Sequence, residues 1–167
     1  MAFHDALTGL PNRKLLVDRT VQALARANRQ HTRVVLPFLD LDGFKVINDT
    51  HGHEAGDEAL RQVAQRLSGL VRQGDTLARL GGDEFVLLAP DIAEPVEAPV
   101  QVLADKCLAA IAMPIEWKGM AHTLEASIGI AVSRPGDDPD SLLAAVDKAM
   151  YAVKRAGSGG YLLAAGA

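Results

Sequence analysis

The chain has little cysteine, few aromatic residues and no long apolar run. Its one cysteine, Cys107, excludes a disulfide framework and a cysteine-rich zinc site, and it fits a reducing, cytoplasmic location. Aromatic residues make up only 4% of the 167 residues, so aliphatic side chains must form most of the core. Because no apolar run approaches ~18 residues, we expect no membrane-spanning helix in this chain, although a parent protein could still be membrane-anchored.

Positive charge is also scarce, since 17 Lys and Arg stand against 21 Asp and Glu for a formal net charge of −4. A general DNA- or RNA-binding surface needs a basic stripe, so this balance argues against one. A nucleotide held through metal ions remains compatible with it, because the metals reverse the local field. With 49% hydrophobic and 23% charged residues, the composition predicts one folded domain over residues 1–167, which we expect to be part of a longer protein.

The most informative segment runs Gly-Gly-Asp-Glu-Phe from Gly81 to Phe85, with an apolar run on each side. This pattern predicts a β-hairpin with Gly81 and Gly82 at its tip. Glycine permits positive φ and lets a bulky ligand approach the main chain. Asp83 and Glu84 suit a divalent metal that carries a phosphate. The five residues alone fit an ordinary acidic hairpin equally well.

The periodicity of the apolar residues predicts an α+β domain of the ferredoxin-like type. After a first helix that Asn12 caps, the order is β-α-β-β-α-β with a small extra hairpin. The first strand is then central in an antiparallel sheet flanked by helices, although Pro37 should disturb it before Phe38. The predicted helices cover residues 13–29, 43–50, 57–71, 100–112 and 141–156, and the strands cover 33–41, 76–80, 85–89, 127–133 and 161–163, with the small hairpin at 115–117 and 123–125.

This topology gathers four acids, Asp40, Asp42, Asp83 and Glu84, because the end of the first strand lies beside the hairpin tip. Magnesium takes oxygen ligands and usually binds one or two carboxylates plus substrate phosphates. Two such ions can activate an attacking oxygen and stabilise a leaving one. Two acids at a strand end are, alone, more typical of a solvated terminus. With the acidic hairpin beside them, a metal site is favoured.

Four polar residues are candidates for binding a nucleotide. Lys45 and Lys154 could contact phosphates, although a solvated face is the usual explanation for a lone lysine. Asn48 and Asp57 could pair with the Watson–Crick edge of guanine, whose ring nitrogens are donors and whose O6 is an acceptor. Taken singly, Asn48 also fits a helix end and Asp57 fits an N-cap.

Two histidines, His51 and His53, form a His-x-His pair that invites comparison with zinc sites. Structural zinc sites use four ligands, and the sequence offers no further ligands at a suitable spacing. The pair is therefore a weak indication of zinc.

Six segments resemble the GGDEF family of diguanylate cyclases, and the resemblance covers nearly the whole chain. Its specificity comes from the order and spacing of the segments. The segments are DALTGLPNR (5–13), DLDGFKVIND (40–49), GHEAGD (52–57), ARLGGDEF (78–85), SIGIA (127–131) and DKAMY (147–151).

The resemblance implies a nucleotidyl-cyclase-like fold that condenses two GTP into cyclic di-GMP with release of two pyrophosphates. Each subunit of a homodimer would present one GTP, and the parent chain would carry sensor or cyclic di-GMP phosphodiesterase domains. Two Mg²⁺ or Mn²⁺ ions per active site would be held by Asp40, the Leu41 carbonyl and Asp83, with Glu84 activating the ribose 3′-hydroxyl or completing a metal shell. The implied substrate-binding residues are Asn48 and Asp57 for guanine, Phe44, Lys45 and Lys154 for the triphosphate, and Gly81 and Gly82, which leave room for the phosphates.

An Arg-x-x-Asp sequence, Arg72 to Asp75, stands nine residues before Gly81 and matches the family's inhibitory product site. Arginine can bond guanine O6 and N7, and the acid can accept guanine N–H groups. Lys106 is a weaker candidate to complete the site from a neighbouring helix. The alternative is an ion pair at a helix terminus.

One departure from the family pattern follows the Lys154 position, where Gly, then Arg or Lys, then Asn is common. This chain has Gly157, Ser158 and Gly159, and Arg155 lies on another helical face, so one cationic phosphate contact is missing. Such a bond is worth about 1.5–3 kcal/mol. The alternative function is thus a catalytically weak GTP-binding domain that regulates a fused phosphodiesterase. A pure cyclic di-GMP receptor is less favoured, because a receptor has no need of metal-binding acids.

Overall fold

The structure is a computed structural model that describes residues 2–156 and 160–163. Within these residues the chain forms α1 (Arg13–Gln30), β1 (Arg33–Asp42), α2 (Phe44–His51), α3 (His53–Ser68), β2 (Thr76–Gly81), β3 (Glu84–Ile92), α4 (Glu97–Ala112), β4 (Ile115–Trp117), β5 (Met120–His122), β6 (Glu125–Val132), α5 (Pro139–Ala156) and β7 (Tyr161–Leu163). The Asn12 side chain accepts a hydrogen bond from the Leu15 N–H at 3.1 Å, so the predicted cap of α1 is confirmed. None of the helices described is long and apolar enough to cross a membrane.

One sheet organises the fold, with its described strands in the order β2-β3-β1-β6-β7. The central strand β1 pairs antiparallel with β3 and β6, and β7 joins β6 in parallel. β4 and β5 form a separate two-stranded sheet. The predicted α+β fold, with its ferredoxin-like order, N-terminal helix and small hairpin, is confirmed.

Helices cover both faces of the sheet, which explains why β1 is buried along all but its terminal residues. Alternate side chains of a strand point to opposite faces. Val34, Leu36 and Phe38 pack in a cluster with α1 and α5, whereas Leu39 packs in the cluster with α2, α3 and α4. Asp40 continues the first row, so it lies on the face where α5 packs.

Helix α5 comes very close to β6 at Gly129. A Cβ atom added to Gly129 would lie 2.8 Å from the Met150 main-chain nitrogen and 3.0 Å from the Ala149 Cβ. The Gly129 N–H also donates to Met150 Sδ at 3.1 Å. The missing side chain therefore permits this close packing, which fixes the helix that carries Lys154.

The start of α3 differs from the prediction, because the helix begins at His53 rather than at Asp57 and ends at Ser68. Gly52, with φ of +90°, makes the whole break between α2 and α3, so the segment predicted as a turn is already helical. Asp57 lies inside α3, and its alternative role as an N-cap is wrong. Helices α4 and α5 also begin earlier than predicted, since proline is tolerated in a first helical turn.

Two strand predictions are also corrected. β4 pairs with residues 120–122 rather than 123–125, because Lys118 and Gly119 adopt positive φ and close a tight turn. Pro37 does not disturb β1, since the pairing with β6 runs through it without a shift. The irregularity of β1 lies earlier, between Arg33 and Val35, in its pairing with β3.

Candidate active site

The end of β1 and the β2–β3 hairpin bring the predicted acids together. The Leu41 N–H donates to the Asp83 carbonyl at 3.1 Å, and Asp40 pairs with Glu84 in the sheet register. The strands reach Gly81 and Glu84, so the tip is Gly82-Asp83 rather than the predicted Gly-Gly pair. Both glycines have positive φ, +145° and +50°, which leaves the main chain of the tip bare.

Negative charge accumulates at this end of the sheet. Burial and then the charge of Asp40 raise the pKa of Asp83, and the same two causes raise the pKa of Glu84. The Lys154 ammonium forms an ion pair with Asp40, and this hydrogen bond raises the pKa of Lys154. Asp42 accepts a hydrogen bond at 2.8 Å from the hydroxyl of the buried Ser127.

The acids fit a hard divalent cation such as Mg²⁺ or Mn²⁺ better than zinc or copper, which favour nitrogen and sulfur ligands. Burial, and then the charge of Asp40, raises the pKa values of Asp83 and Glu84, and a bound cation would offset the cost of keeping these carboxylates ionised. No three His, Cys, Asp or Glu side chains among residues 2–156 and 160–163 are already grouped as metal ligands. Two carboxylates and a main-chain oxygen, completed by substrate phosphates, are the kind of ligand set that magnesium takes. A metal on Asp40 would share this carboxylate with Lys154.

Arg79 fixes the hairpin tip, a role that is not predicted from the sequence. Its Nε and Nη2 donate to the Gly82 carbonyl at 3.1 and 2.8 Å, and its Nη1 donates to Asp5 Oδ1 at 2.9 Å. Asp5 also accepts hydrogen bonds from the Thr8 N–H and hydroxyl. Although burial alone would raise the pKa of Asp5, these hydrogen bonds and the Arg79 charge hold it below its ordinary value. Asp5 and Arg79 both lie in segments that resemble the family, and this is the sequence signal that could have identified them.

The two candidate guanine readers lie on neighbouring helices, Asn48 in α2 and Asp57 in α3. Gly52 joins these helices and donates its N–H to the Asn48 carbonyl at 2.9 Å. The Asn48 amide lies directly against Gly56, the residue before Asp57. The two readers are therefore held near each other by the α2–α3 junction. Both are partly exposed, as a base-binding position requires.

Phe44 and Lys45 occupy the first turn of α2, next to the end of β1. Phe44 is half-buried against the core, whereas Lys45 is exposed. The two candidate zinc ligands have different surroundings. His53 is exposed, whereas the centroid of the His51 ring lies 4.4 Å from the centroid of the His122 ring. His51 and His53 therefore form no zinc-ligand pair with each other.

Arg72 and Asp75 lie in the connection between α3 and β2, where they contact each other. The Arg72 N–H donates to Asp75 Oδ2 at 2.9 Å, while the guanidinium contacts are long, 3.4 and 3.5 Å. The Arg72 side chain is 63% exposed and Asp75 only 4%. A cavity of about 200 Å³ is lined by Arg72, Asp75 and several apolar residues, and Lys106 on α4 lines it as well.

The family departure at Gly157, Ser158 and Gly159 lies outside the residues that the structure describes. Within α5, the Arg155 guanidinium lies 5.7 Å from the centroid of the Tyr151 ring. Arg155 thus packs along its own helix, as expected for a residue on another face from Lys154.

The family model described as "Diguanylate cyclase, GGDEF domain" matches residues 2–159. The chain is 47% identical over 163 residues to the bifunctional diguanylate cyclase/cyclic di-GMP phosphodiesterase MucR of Pseudomonas aeruginosa, covering 96% of this chain and 23% of MucR. It is 41% identical to the diguanylate cyclase TpbB of the same species, covering 98% of this chain and 38% of TpbB. The chain therefore spans well under half the length of these relatives.

Two solved structures resemble the fold over almost its whole length. The GGDEF domain of TpbB from Pseudomonas aeruginosa has a TM-score of 0.91 at 40% identity, covering 96% of this chain and 94% of that one. The GGDEF domain of DgcB from Caulobacter crescentus, solved in complex with cyclic di-GMP, has a TM-score of 0.90 at 31% identity, covering 98% and 96%.

Proposed function

Because this chain belongs to the GGDEF family of diguanylate cyclase domains, we propose that it condenses two GTP into cyclic di-GMP with release of two pyrophosphates. The observation that carries the proposal is the cluster of Asp40, Asp83 and Glu84 at one end of the sheet, in a chain whose α2–α3 junction holds Asn48 near Asp57. Since GTP is made in the cytoplasm, this activity requires a cytoplasmic domain.

Substrate binding combines base recognition and charge neutralisation. Guanine pairs with Asn48 and Asp57. The phosphates are contacted by Lys45 and Lys154. The triphosphate also lies against Phe44 and the bare backbone of Gly81 and Gly82. Asp40, the Leu41 carbonyl and Asp83 would hold two Mg²⁺ or Mn²⁺ ions, which would supply positive charge to neutralise the phosphates.

The chemical step is an attack by the 3′-oxygen of one GTP on the α-phosphorus of the other. Glu84 accepts the 3′-hydroxyl proton or completes the metal shell. Burial and Asp40 hold the pKa of Glu84 above its ordinary value, which brings it closer to the pH at which a general base works well. Catalysis otherwise rests on positioning, because two identical subunits docked antiparallel present their GTP molecules to each other.

Product inhibition is proposed at the cavity formed by Arg72, Asp75 and Lys106. The exposed Arg72 has only long guanidinium contacts with Asp75, so it can turn toward guanine O6 and N7. Asp75 then accepts guanine N–H groups, and Lys106 contributes positive charge near a phosphate.

The test is incubation of the purified chain with GTP and Mg²⁺ at several protein concentrations, with chromatographic separation of products. We expect cyclic di-GMP, at a rate that rises more steeply than linearly with protein because two subunits are required. Asp83→Ala should abolish the product while the fold survives. The matched control is Asp140→Ala, which removes an exposed acid at the opposite end of α5 from Lys154.

Two outcomes would contradict the proposal in different ways. Binding of GTP without product at any protein concentration would point to the regulatory GTP-binding alternative, which the relatives named as cyclases do not favour. Wild-type activity of Asp83→Ala would remove the metal assignment and leave the cyclase intact.

A further inference from the structure

The Asn48 side chain occupies the space that a side chain at position 56 would fill. A Cβ atom built on Gly56 would lie 1.8 Å from Asn48 Oδ1 and 2.7 Å from its Cγ. Neither distance is possible for real atoms, since contacts below 3.0 Å force a displacement. The amide therefore rests on the bare Cα of Gly56, one residue before Asp57.

Packing, rather than hydrogen bonding, holds this amide. Across residues 2–156 and 160–163, none of the side-chain hydrogen bonds uses the Asn48 amide, while its main-chain carbonyl accepts from the Gly52 N–H at 2.9 Å. Asn48 Oδ1 therefore packs against Gly56, and the hydrogen-bonding capacity of the amide is left for a ligand.

The helix itself does not require glycine at this position. Gly56 lies inside α3 and has no left-handed φ. Glycine is a poor helix former compared with alanine, so its presence opposes local stability. The contact with Asn48 is what a larger residue would destroy.

We infer that Gly56 is a positioning residue for base recognition, which orients the Asn48 amide beside Asp57. This inference rests on the proposed function, in which Asn48 and Asp57 read guanine. Gly56 touches no substrate; it acts through Asn48. Any added Cβ turns the amide away from the base and leaves the phosphate contacts unchanged.

Gly56→Ala should separate stability from specificity. The Asn48 amide is the far end of a side chain and can rotate away, so the fold should not lose stability; the melting temperature should stay unchanged or rise by about 2–4 °C from the gain in helix propensity. Affinity for GTP should fall on the order of tenfold to a hundredfold, because the bound guanine loses a hydrogen-bond partner. Weak binding of ATP should not change, so discrimination between the two nucleotides should shrink.

The experiment measures GTP and ATP affinity and melting temperature for the wild type, Gly56→Ala, Asn48→Ala and the double variant. If Gly56 acts only through Asn48, the double variant binds GTP as Asn48→Ala does. The matched control is Gly69→Ala at the C-terminal end of α3, where φ is −69° and the nearest atom to an added Cβ is 3.4 Å away. The Asn48 side-chain amide resonance should shift in Gly56→Ala and not in Gly69→Ala.

Several outcomes would overturn the inference, and they differ from failure of the proposed function. The inference is overturned, and the proposed cyclase is not, if Gly56→Ala binds GTP like the wild type or has a lowered melting temperature. It is also overturned if the losses of GTP affinity in Gly56→Ala and Asn48→Ala add up in the double variant. Asn48→Ala that keeps full affinity would remove both the guanine assignment and the inference. A wild-type chain that binds no GTP would refute the proposed function itself, and this inference with it.

Discussion

Replacing Gly129 by alanine should loosen α5 from the sheet, because the added Cβ would meet main chain rather than a movable side chain. It would lie 2.8 Å from the Met150 nitrogen and 3.1 Å from the Ala149 carbonyl carbon. Ordinary contact begins at 3.4 Å, so the helix must withdraw by about 0.6 Å (3.4 − 2.8) or the strand must bend. Overpacking of this kind costs about 1–3 kcal/mol. For a chain of this size the loss corresponds to about 2–12 °C in melting temperature.

Urea unfolding measures this loss directly, as a lower midpoint with an unchanged slope. The Gly129 N–H also donates to Met150 Sδ, so Met150→Leu is the variant that removes this bond without adding a clash. We expect Met150→Leu to cost less than Gly129→Ala, since a volume-conserving swap usually costs under about 1.5 kcal/mol. A free energy of unfolding of Gly129→Ala within about 0.5 kcal/mol of the wild-type value would refute the predicted clash. So would a Met150→Leu variant that loses as much stability as Gly129→Ala.

Three further predictions concern the two proposed sites. Asp83→Asn should abolish cyclic di-GMP formation. It should also make the fold more stable than the wild type once the pH exceeds the ordinary pKa of an unfolded-state Asp, about 4. Burial and Asp40 raise the folded pKa of Asp83, so its ionisation costs stability above that pH; a urea midpoint at pH 7 no higher than the wild-type value would contradict this. Arg79→Ala should slow turnover and speed amide exchange at the hairpin tip by freeing the Gly82 carbonyl, and Arg79→Lys should rescue little because lysine lacks the fork. Arg72→Ala should raise the product yield by relieving inhibition; unchanged inhibition by added cyclic di-GMP would remove that site.

The order of the elements and the meeting of Asp40 with Asp83 were predictable from the sequence. Apolar runs separated by turn residues fix a β-α-β-β-α-β order, and that order makes the first strand central. Once β1 is central, the acids at its end must lie beside the β2–β3 hairpin. The structure confirms this meeting, with the Leu41 N–H on the Asp83 carbonyl.

The wrong predictions concern segments whose local conformational preference is opposed by their packing in the folded chain. The segment before Asp57 contains two glycines and was predicted as a turn, but packing of α3 on α2 keeps it helical. Pro37 was expected to disturb β1, yet helices cover both faces of that strand and its register with β6 is unbroken. Local preferences are worth about 1 kcal/mol per residue, which tertiary packing readily exceeds.

The contacts that position the site could not be predicted from the sequence, because they join residues that are far apart along the chain. Arg79 forms an ion pair with Asp5, and the spacing of these two residues in the sequence does not predict it. The same holds for Gly56 and Gly129, each followed in the sequence by ordinary helix or strand residues. In space, Gly56 faces the tip of the Asn48 side chain and Gly129 faces the main chain of α5. A side chain can rotate and a packed helix cannot, so the same substitution should change nucleotide choice at the first position and stability at the second.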